Sequence, residues 1–444
     1  MKKILLSLIT ILMPLALLAQ QAGDNFTIKT TDGKTTEWSL ASGNKNVDIS
    51  IIKHNGNKLE LYAKGYENIG AWQTYDLDKI ENITFAVFHK GDYKEESAVD
   101  AVKNMGIGTN FGNCTDVVAM WMNMNSNSVT DFEKAWGQEP TTKPMVDFLK
   151  KNGFNSVRIP VTWFQHMKAD GTVDEAWMNR IQEIVDYVID NGMYCILNVH
   201  HDTGADDKDV KHWIKADEAN YKENKEKFEY LWTQIATRFK NYDQHLLFEG
   251  YNEMLDADNT WNAPKSASSY KGLNGYAQSF VNAVRATGGN NETRNLIINT
   301  YAAANGDDVL NNLAIPTDKV DGHIAVEVHT YAPWDWFAQK GKWDASCSNE
   351  IKNMFTRLNK KFISKGIPCI IGEYGTHGSK SVSKTSSASE IQAAADQAAD
   401  IVKQAKAYGV ATFYWMSIFS EKDRTVPQWT LPTVVEAMKK AYNE

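Results

Sequence analysis

Eight short apolar runs, separated by helix-length amphipathic segments, dominate the chain from about residue 101 onward and restrict it to a repeated β/α architecture. In order they are MGIGTNFG (105 to 112), SVRIPV (156 to 161), YCILNVHH (194 to 201), LLFEGYNE (246 to 253), LIINTY (296 to 301), HIAVEVHTY (323 to 331), PCIIGEYG (368 to 375) and ATFYWMS (411 to 417). Between the second and third runs, Ile181, Ile184, Val185 and Val188 recur at spacings of three and four, and Gly192 supplies a C-terminal stop. Eight strands in roughly 340 residues predict a closed (β/α)8 barrel. A doubly wound open sheet is disfavoured, because no Gly-rich phosphate fingerprint follows the first run.

Residues 21 to 98 read differently. FTIKTTDG, VDISIIKHNGNKLELYAKG and ENITFAVFHKGD carry short alternating apolar segments broken by DG, NG and KG turn signals, which predicts a small all-β, sandwich-like module. The polar stretch 90 to 100 reads as a linker into a catalytic domain over 99 to 444. Ahead of the module, two lysines precede an apolar run from Ile4 to about Ala19, which is shorter than the roughly 20 residues a membrane span needs. Residues 1 to 20 are therefore expected to be a signal peptide, the mature protein to be secreted, and no span to remain.

The chain is 43% hydrophobic and 11% aromatic, with a net charge of −8 and Lys and Arg scattered without a basic stripe. This argues for a large core and against a nucleic-acid partner. The 14 Trp, 18 Tyr and 17 Phe suit a neutral, hydroxyl-rich ligand, because aromatic rings offer flat apolar faces. Export permits disulfides, yet Cys195 and Cys369 lie in strand-like runs where a thiol behaves as a small hydrophobe. Unpaired cysteines are the expectation, with a Cys114 to Cys347 bridge as the alternative.

Barrels of this kind carry their working groups at the C-terminal strand ends. Polar residues gather there: Asn113 after the first run, Arg158 in the second, His200 and His201 closing the third, Asn252 and Glu253 the fourth, His329 and Tyr331 the sixth, and Glu373 the seventh, with Trp415 in the eighth. Two carboxylates delivered to one mouth are the equipment of a glycosidase. His200, His201 and Asp202 raise the question of a metal, but neighbours on a strand point to opposite faces, so no metal and no cofactor are expected.

RIPVTW, ILNVHHD, GYNEM, VHTY, IIGEYG and FYW, in that order, resemble glycoside hydrolase family 5, the endo-cellulase family, and GTNFGNCTD resembles the first-strand motif of its endoglucanases. The resemblance covers about residues 101 to 440. It implies a retaining endo-β-1,4-glucanase that acts as a monomer on a β-linked polysaccharide, with Glu253 as acid/base and Glu373 as nucleophile. It further implies that Asn252 binds the sugar 2-hydroxyl, that His329 orients Glu253, and that Asn113, His200 and His201 hold sugar hydroxyls over a Trp415 floor. Arg158 and Tyr331 are expected to keep Glu373 ionised, and Glu253 to carry the resting proton, its pKa raised by the neighbouring charge. Met254 stands where many members have Pro. Xyloglucanase, mannanase and mixed-linkage glucanase are the alternative specificities, and a non-catalytic carbohydrate-binding barrel is the alternative class. Trp163, Trp261, Trp334 and Trp336 are candidate outer sugar platforms, half of them expected to be packing residues. In the front module Trp38, Trp72 and Tyr75 are candidate sugar contacts, with Trp72 assigned to the core.

Overall fold

The computed structural model of the protein describes residues 25–39, 49–86, 93–415 and 424–444. The predicted signal peptide, residues 90 to 92 of the predicted linker, and Met416 and Ser417 of the eighth run lie outside the described residues. The chain divides into two compact units, the second comprising 93–236 and 242–444.

Among the described residues of the front unit, six strands form two antiparallel three-stranded sheets. The first orders β2 (Thr35–Ser39), β1 (Asn25–Thr30) and β6 (Ile80–Ala86); the second orders β3 (Ile49–Asn55), β4 (Lys58–Ala63) and β5 (Gln73–Asp76). The alternation in KLELYA buries Leu59, Leu61 and Ala63, and the first two join Phe26, Ile28, Trp38, Ile49 and Ile80 in one core shared by both sheets. Trp38 is the core tryptophan, and its indole N–H donates to the Tyr75 hydroxyl at 3.0 Å. The assignment of Trp72 to this core is corrected: it precedes β5 in a turn, where its ring is 49% exposed beside Tyr66.

The second unit is a closed parallel barrel of eight strands: β7 (Ile107–Asn110), β8 (Ser156–Ile159), β9 (Tyr194–Asn198), β10 (Leu246–Glu249), β11 (Leu296–Asn299), β12 (Ile324–Thr330), β13 (Cys369–Tyr374) and β14 (Ala411–Tyr414). Each falls inside one of the eight apolar runs. Helices such as Glu175–Ile189 and Ala388–Ala407 connect them; the first is capped by Asp174, whose carboxylate accepts from the amides of Ala176 and Trp177. The predicted linker is corrected in part, since a helix begins at Ala98 behind a Ser97 cap. Its Ala101, Val102 and Met105 close the barrel floor against Tyr194, Leu247, Ile297, Ala325, Ile370 and Ala411.

Strand alternation turns every second side chain inward. Above that apolar floor, the next inward positions are Asn110, Arg158, Asn198, Glu249, Asn299 and Glu327, all buried. The barrel interior thus has an apolar lower storey and a charged upper storey. All four cysteines are free and buried, so the Cys114 to Cys347 alternative is corrected: the Cys114 sulfur faces the Arg424 guanidinium at 2.8 Å.

Candidate active site

Arg158 is the hub of the upper storey. Its Nε and Nη2 donate to Glu249 at 2.7 and 2.8 Å, Nη1 donates to Glu373 at 2.9 Å and to Asn110 at 3.0 Å, and Nη2 also donates to the Asn252 side-chain oxygen at 2.8 Å. A buried guanidinium is tolerated because every N–H finds an acceptor of matching geometry. With its oxygen accepting from Arg158, Asn252 keeps its N–H2 as the donor end of the amide.

Glu373 reaches the mouth through a defect in β13. The pairing of β12 with β13 shifts register between Val328 and His329, so Ile371 lies opposite Val328 and Glu373 opposite His329, with Gly372 left over. Such a bulge re-aims the next side chain, and Glu373, due to face outward by alternation, turns into the barrel. Glycine is required at 372 because a Cβ there would lie 1.9 Å from Glu327 Oε1. The Tyr331 hydroxyl donates to the second Glu373 oxygen at 2.8 Å.

Glu253 stands beyond the end of β10 and accepts from His329 Nδ1 at 2.8 Å, while the same nitrogen lies 3.6 Å from Glu373. Glu253, His329 and Glu373 each present an atom within 4.8 Å of the other two. This close spacing falls on the side of double displacement, for which about 5 Å is needed, and short of the wider separation of an inverting pair.

The protonation states correct one expectation. Burial opposes charge on His329, but Glu373, Glu253 and Glu327 prevail and raise it to about 10. Burial likewise opposes ionisation of Glu253, yet the His329 hydrogen bond and charge hold it below the usual carboxylate range. The resting proton therefore sits on the imidazole, one hydrogen bond from Glu253, and not on Glu253 itself. Burial pushes Glu373 up, against the pull of His329 and Arg158.

His200 and His201 divide their work. Asn198 accepts from the Val161 amide through its oxygen at 3.0 Å and so offers N–H to His200 Nδ1 at 3.0 Å, which leaves the His200 proton on Nε2, facing Glu373 at 3.9 Å. Trp415 lies parallel to the His200 ring at 5.9 Å, and the bare Cα of Gly112 admits the indole. His201 turns instead toward Asp116, 3.9 Å away, and Trp136. The alternation argument fails for this pair, because β9 ends at Asn198 and both rings lie past it, 4.5 Å apart. Asp116, His200 and His201 do bring potential ligand atoms within 4.8 Å of one another, with His200 Nδ1 already engaged by the Asn198 amide. Asn113 occupies the turn after β7 with φ of 60°.

Of the four candidate outer platforms, Trp163 and Trp336 are buried packing residues, the former donating to the Asn198 carbonyl at 2.9 Å, whereas Trp261 and Trp334 are 54% and 63% exposed. Sequence reasoning missed Glu249, Glu327, Asn198 and Asp116. The first two were signalled by lone glutamates two residues from an inward apolar position, Leu247 and Ala325.

The profile of a family described as cellulase (glycosyl hydrolase family 5) matches residues 114–420. Endoglucanase 1 of Ruminococcus albus is 34% identical over 381 residues, covering 82% of this chain and 86% of its own. Cellulase/esterase CelE of Acetivibrio thermocellus is 35% identical over 370 residues, 78% of this chain, and the chain spans only 40% of that relative's length. Among solved structures, PbGH5A, a glycoside hydrolase family 5 enzyme from Prevotella bryantii B14, superposes with a TM-score of 0.77 at 57% identity, over 80% of this chain and all of its own. A mutant of that enzyme, in complex with a xyloglucan tetradecasaccharide, superposes with a TM-score of 0.76 over 79% of this chain.

Proposed function

Since the chain belongs to glycosyl hydrolase family 5, the cellulase family, we propose that it is a secreted endo-β-1,4-glucanase that cleaves its polysaccharide as a monomer with retention of configuration. The observation that carries the reading is the close approach of Glu253 and Glu373 around His329, with Arg158 and Tyr331 both bonded to Glu373. Glu373 attacks the anomeric carbon while the glycosidic C–O bond breaks. The leaving oxygen takes a proton from Glu253, which Glu253 draws from His329 along their 2.8 Å hydrogen bond. Ionised Glu253 then deprotonates a water, whose oxygen displaces Glu373.

Asn252 supports this chemistry as donor to the sugar 2-hydroxyl, a contact that strengthens as positive character grows at the anomeric centre. His200 offers its fixed Nε2–H, Asn113 and His201 bind hydroxyls of the same sugar, and Trp415 stacks beneath it. A binding-only barrel would gain nothing from two carboxylates placed this close in a buried site, where their repulsion is costly. Export is supported by the apolar N-terminal run, and endo action by the exposed Trp261 and Trp334 in loops after β10 and β12.

A second specificity has its own support. A 57% identical enzyme binds a xyloglucan tetradecasaccharide, and xyloglucan is a β-1,4-glucan with side chains. We expect the protein to hydrolyse carboxymethylcellulose, mixed-linkage glucan and xyloglucan. The test is a reducing-sugar assay across these three and β-mannan. Cleavage confined to mannan would overturn the glucanase reading, because the axial 2-hydroxyl of mannose is misplaced for Asn252.

A further inference from the structure

We propose that Glu327 is the positioning residue of the acid/base: its carboxylate holds His329 by Nε2, directs an Nδ1–H at Glu253, and retains the catalytic proton on the His329–Glu253 pair as pH rises. The inference rests on the assignment of Glu253 as acid/base and adds a third member behind it. Glu327 and His329 lie two residues apart on β12, hence on one inward face, with Glu327 Oε1 3.3 Å from Nε2 while Nδ1 meets Glu253 at 2.8 Å. The imidazole is thus bracketed by carboxylates on both nitrogens, and only the doubly protonated ring satisfies both.

Pairing with Arg158 does not account for Glu327. The Arg158 fork is already occupied by Glu249, with further bonds to Glu373, Asn110 and Asn252, and Glu327 Oε1 makes only one longer approach to Nε, at 3.2 Å. Glu327 Oε2 is buried without a hydrogen-bond partner among the described residues. A carboxylate so placed is costly unless a second cation lies beside it, and the imidazolium of His329 is the remaining one. Space for it is built in, because Gly372 of the β13 bulge leaves out the Cβ that would collide with Glu327.

The charged groups facing Glu327 are Arg158 from β8, Glu249 from β10, His329 on its own strand, and, through His329, Glu253 beyond β10 and Glu373 from β13. Burial and the Glu249 charge push the Glu327 carboxyl up to about 7, so it is ionised on the alkaline side of neutrality, where an acid catalyst is in danger of losing its proton.

The test is the pH dependence of kcat/KM on soluble β-glucan for the full-length protein and its E327Q variant. An adjacent anion stabilises the proton on the pair, so its removal is expected to move the alkaline limb to lower pH by about one unit, a roughly tenfold loss on that limb relative to the optimum, with the acid limb in place. A limb that superimposes on the parent's, or a loss by one factor at every pH, overturns the proposal. If E327Q does not fold, 15N NMR of histidine-labelled parent protein decides, with His329 assigned by comparison with an H329N variant. Both ring nitrogens protonated at pH 8 is the expected result, and a neutral ring at that pH overturns it. A parent protein inactive on every β-glucan would refute the functional reading, whereas an active parent with an unmoved limb refutes this inference alone.

Discussion

Glu373→Ala is expected to lower kcat on soluble β-glucan by on the order of 10⁵-fold or more, since the nucleophile is the group without which no glycosyl-enzyme forms. The neighbours of Glu373 make the loss specific: Arg158 and Tyr331 each donate a hydrogen bond to it, one to each carboxylate oxygen. Azide entering the vacated space should attack the anomeric carbon from the Glu373 side and give an α-glycosyl azide. Glu253→Ala should behave differently. It is expected to lose polysaccharide hydrolysis but still react with aryl glycosides whose leaving groups need no proton, and azide should then intercept the glycosyl-enzyme from the opposite face as a β-glycosyl azide. Rates and the anomer of each azide adduct distinguish the two roles. Reversed anomers would exchange the assignments, and undiminished hydrolysis by Glu373→Ala would remove the nucleophile altogether.

Arg158→Met carries the largest expected effect on stability. In the buried upper storey the guanidinium pairs with Glu249 and Glu373 at 2.7 and 2.9 Å, with Glu327 at a longer approach of 3.2 Å. Breaking a buried pair by deleting one partner costs about 3 to 5 kcal/mol, because the charge left behind has neither water nor counterion. The variant's glutamates respond by taking up protons, so their folded-state pKa values rise above the unfolded ones. A raised pKa means that folding binds protons, so the variant is more stable at low pH and loses stability as pH climbs through those values. Thermal denaturation followed by circular dichroism at pH 5 and pH 8 is expected to show a deficit relative to the parent that is small at pH 5 and large at pH 8. Equal deficits at the two pH values, or none, would contradict the view that Arg158 holds the storey by charge. Arg158→Lys should recover only part of the loss, since an ammonium lacks the fork that Glu249 occupies.

The barrel was readable because each strand is an apolar run closed by Gly, Pro or a polar residue, and parallel strands buried on both faces have that signature. The runs overshoot the strands at their C-terminal ends: β9 stops at Asn198 and β10 at Glu249, although the apolar pattern continues, because the chain there leaves the ladder to build the mouth. That overshoot is where the alternation argument for His200 and His201 fails, because both lie past the end of β9. The polar residues at the mouth were found by position, whereas Glu249 and Glu327 were passed over because a glutamate inside an apolar run has no meaning until its inward direction is known. The bulge that turns Glu373 inward is equally silent in the sequence, apart from the glycine before it. In the front module Trp38 packs in the core from β2 whereas Trp72 is exposed in the turn before β5, a difference between strand and turn that the short alternating pattern does not mark. The location of the resting proton depends on the 2.8 Å separation of His329 and Glu253, which no residue pattern encodes.

The central claim is double displacement by Glu373 and Glu253, and the anomer of the first product tests it most directly. Proton NMR during the first turnovers of a β-linked glucan, before mutarotation, should show the newly formed reducing end as the β-anomer. Initial accumulation of the α-anomer would contradict the mechanism derived from the site.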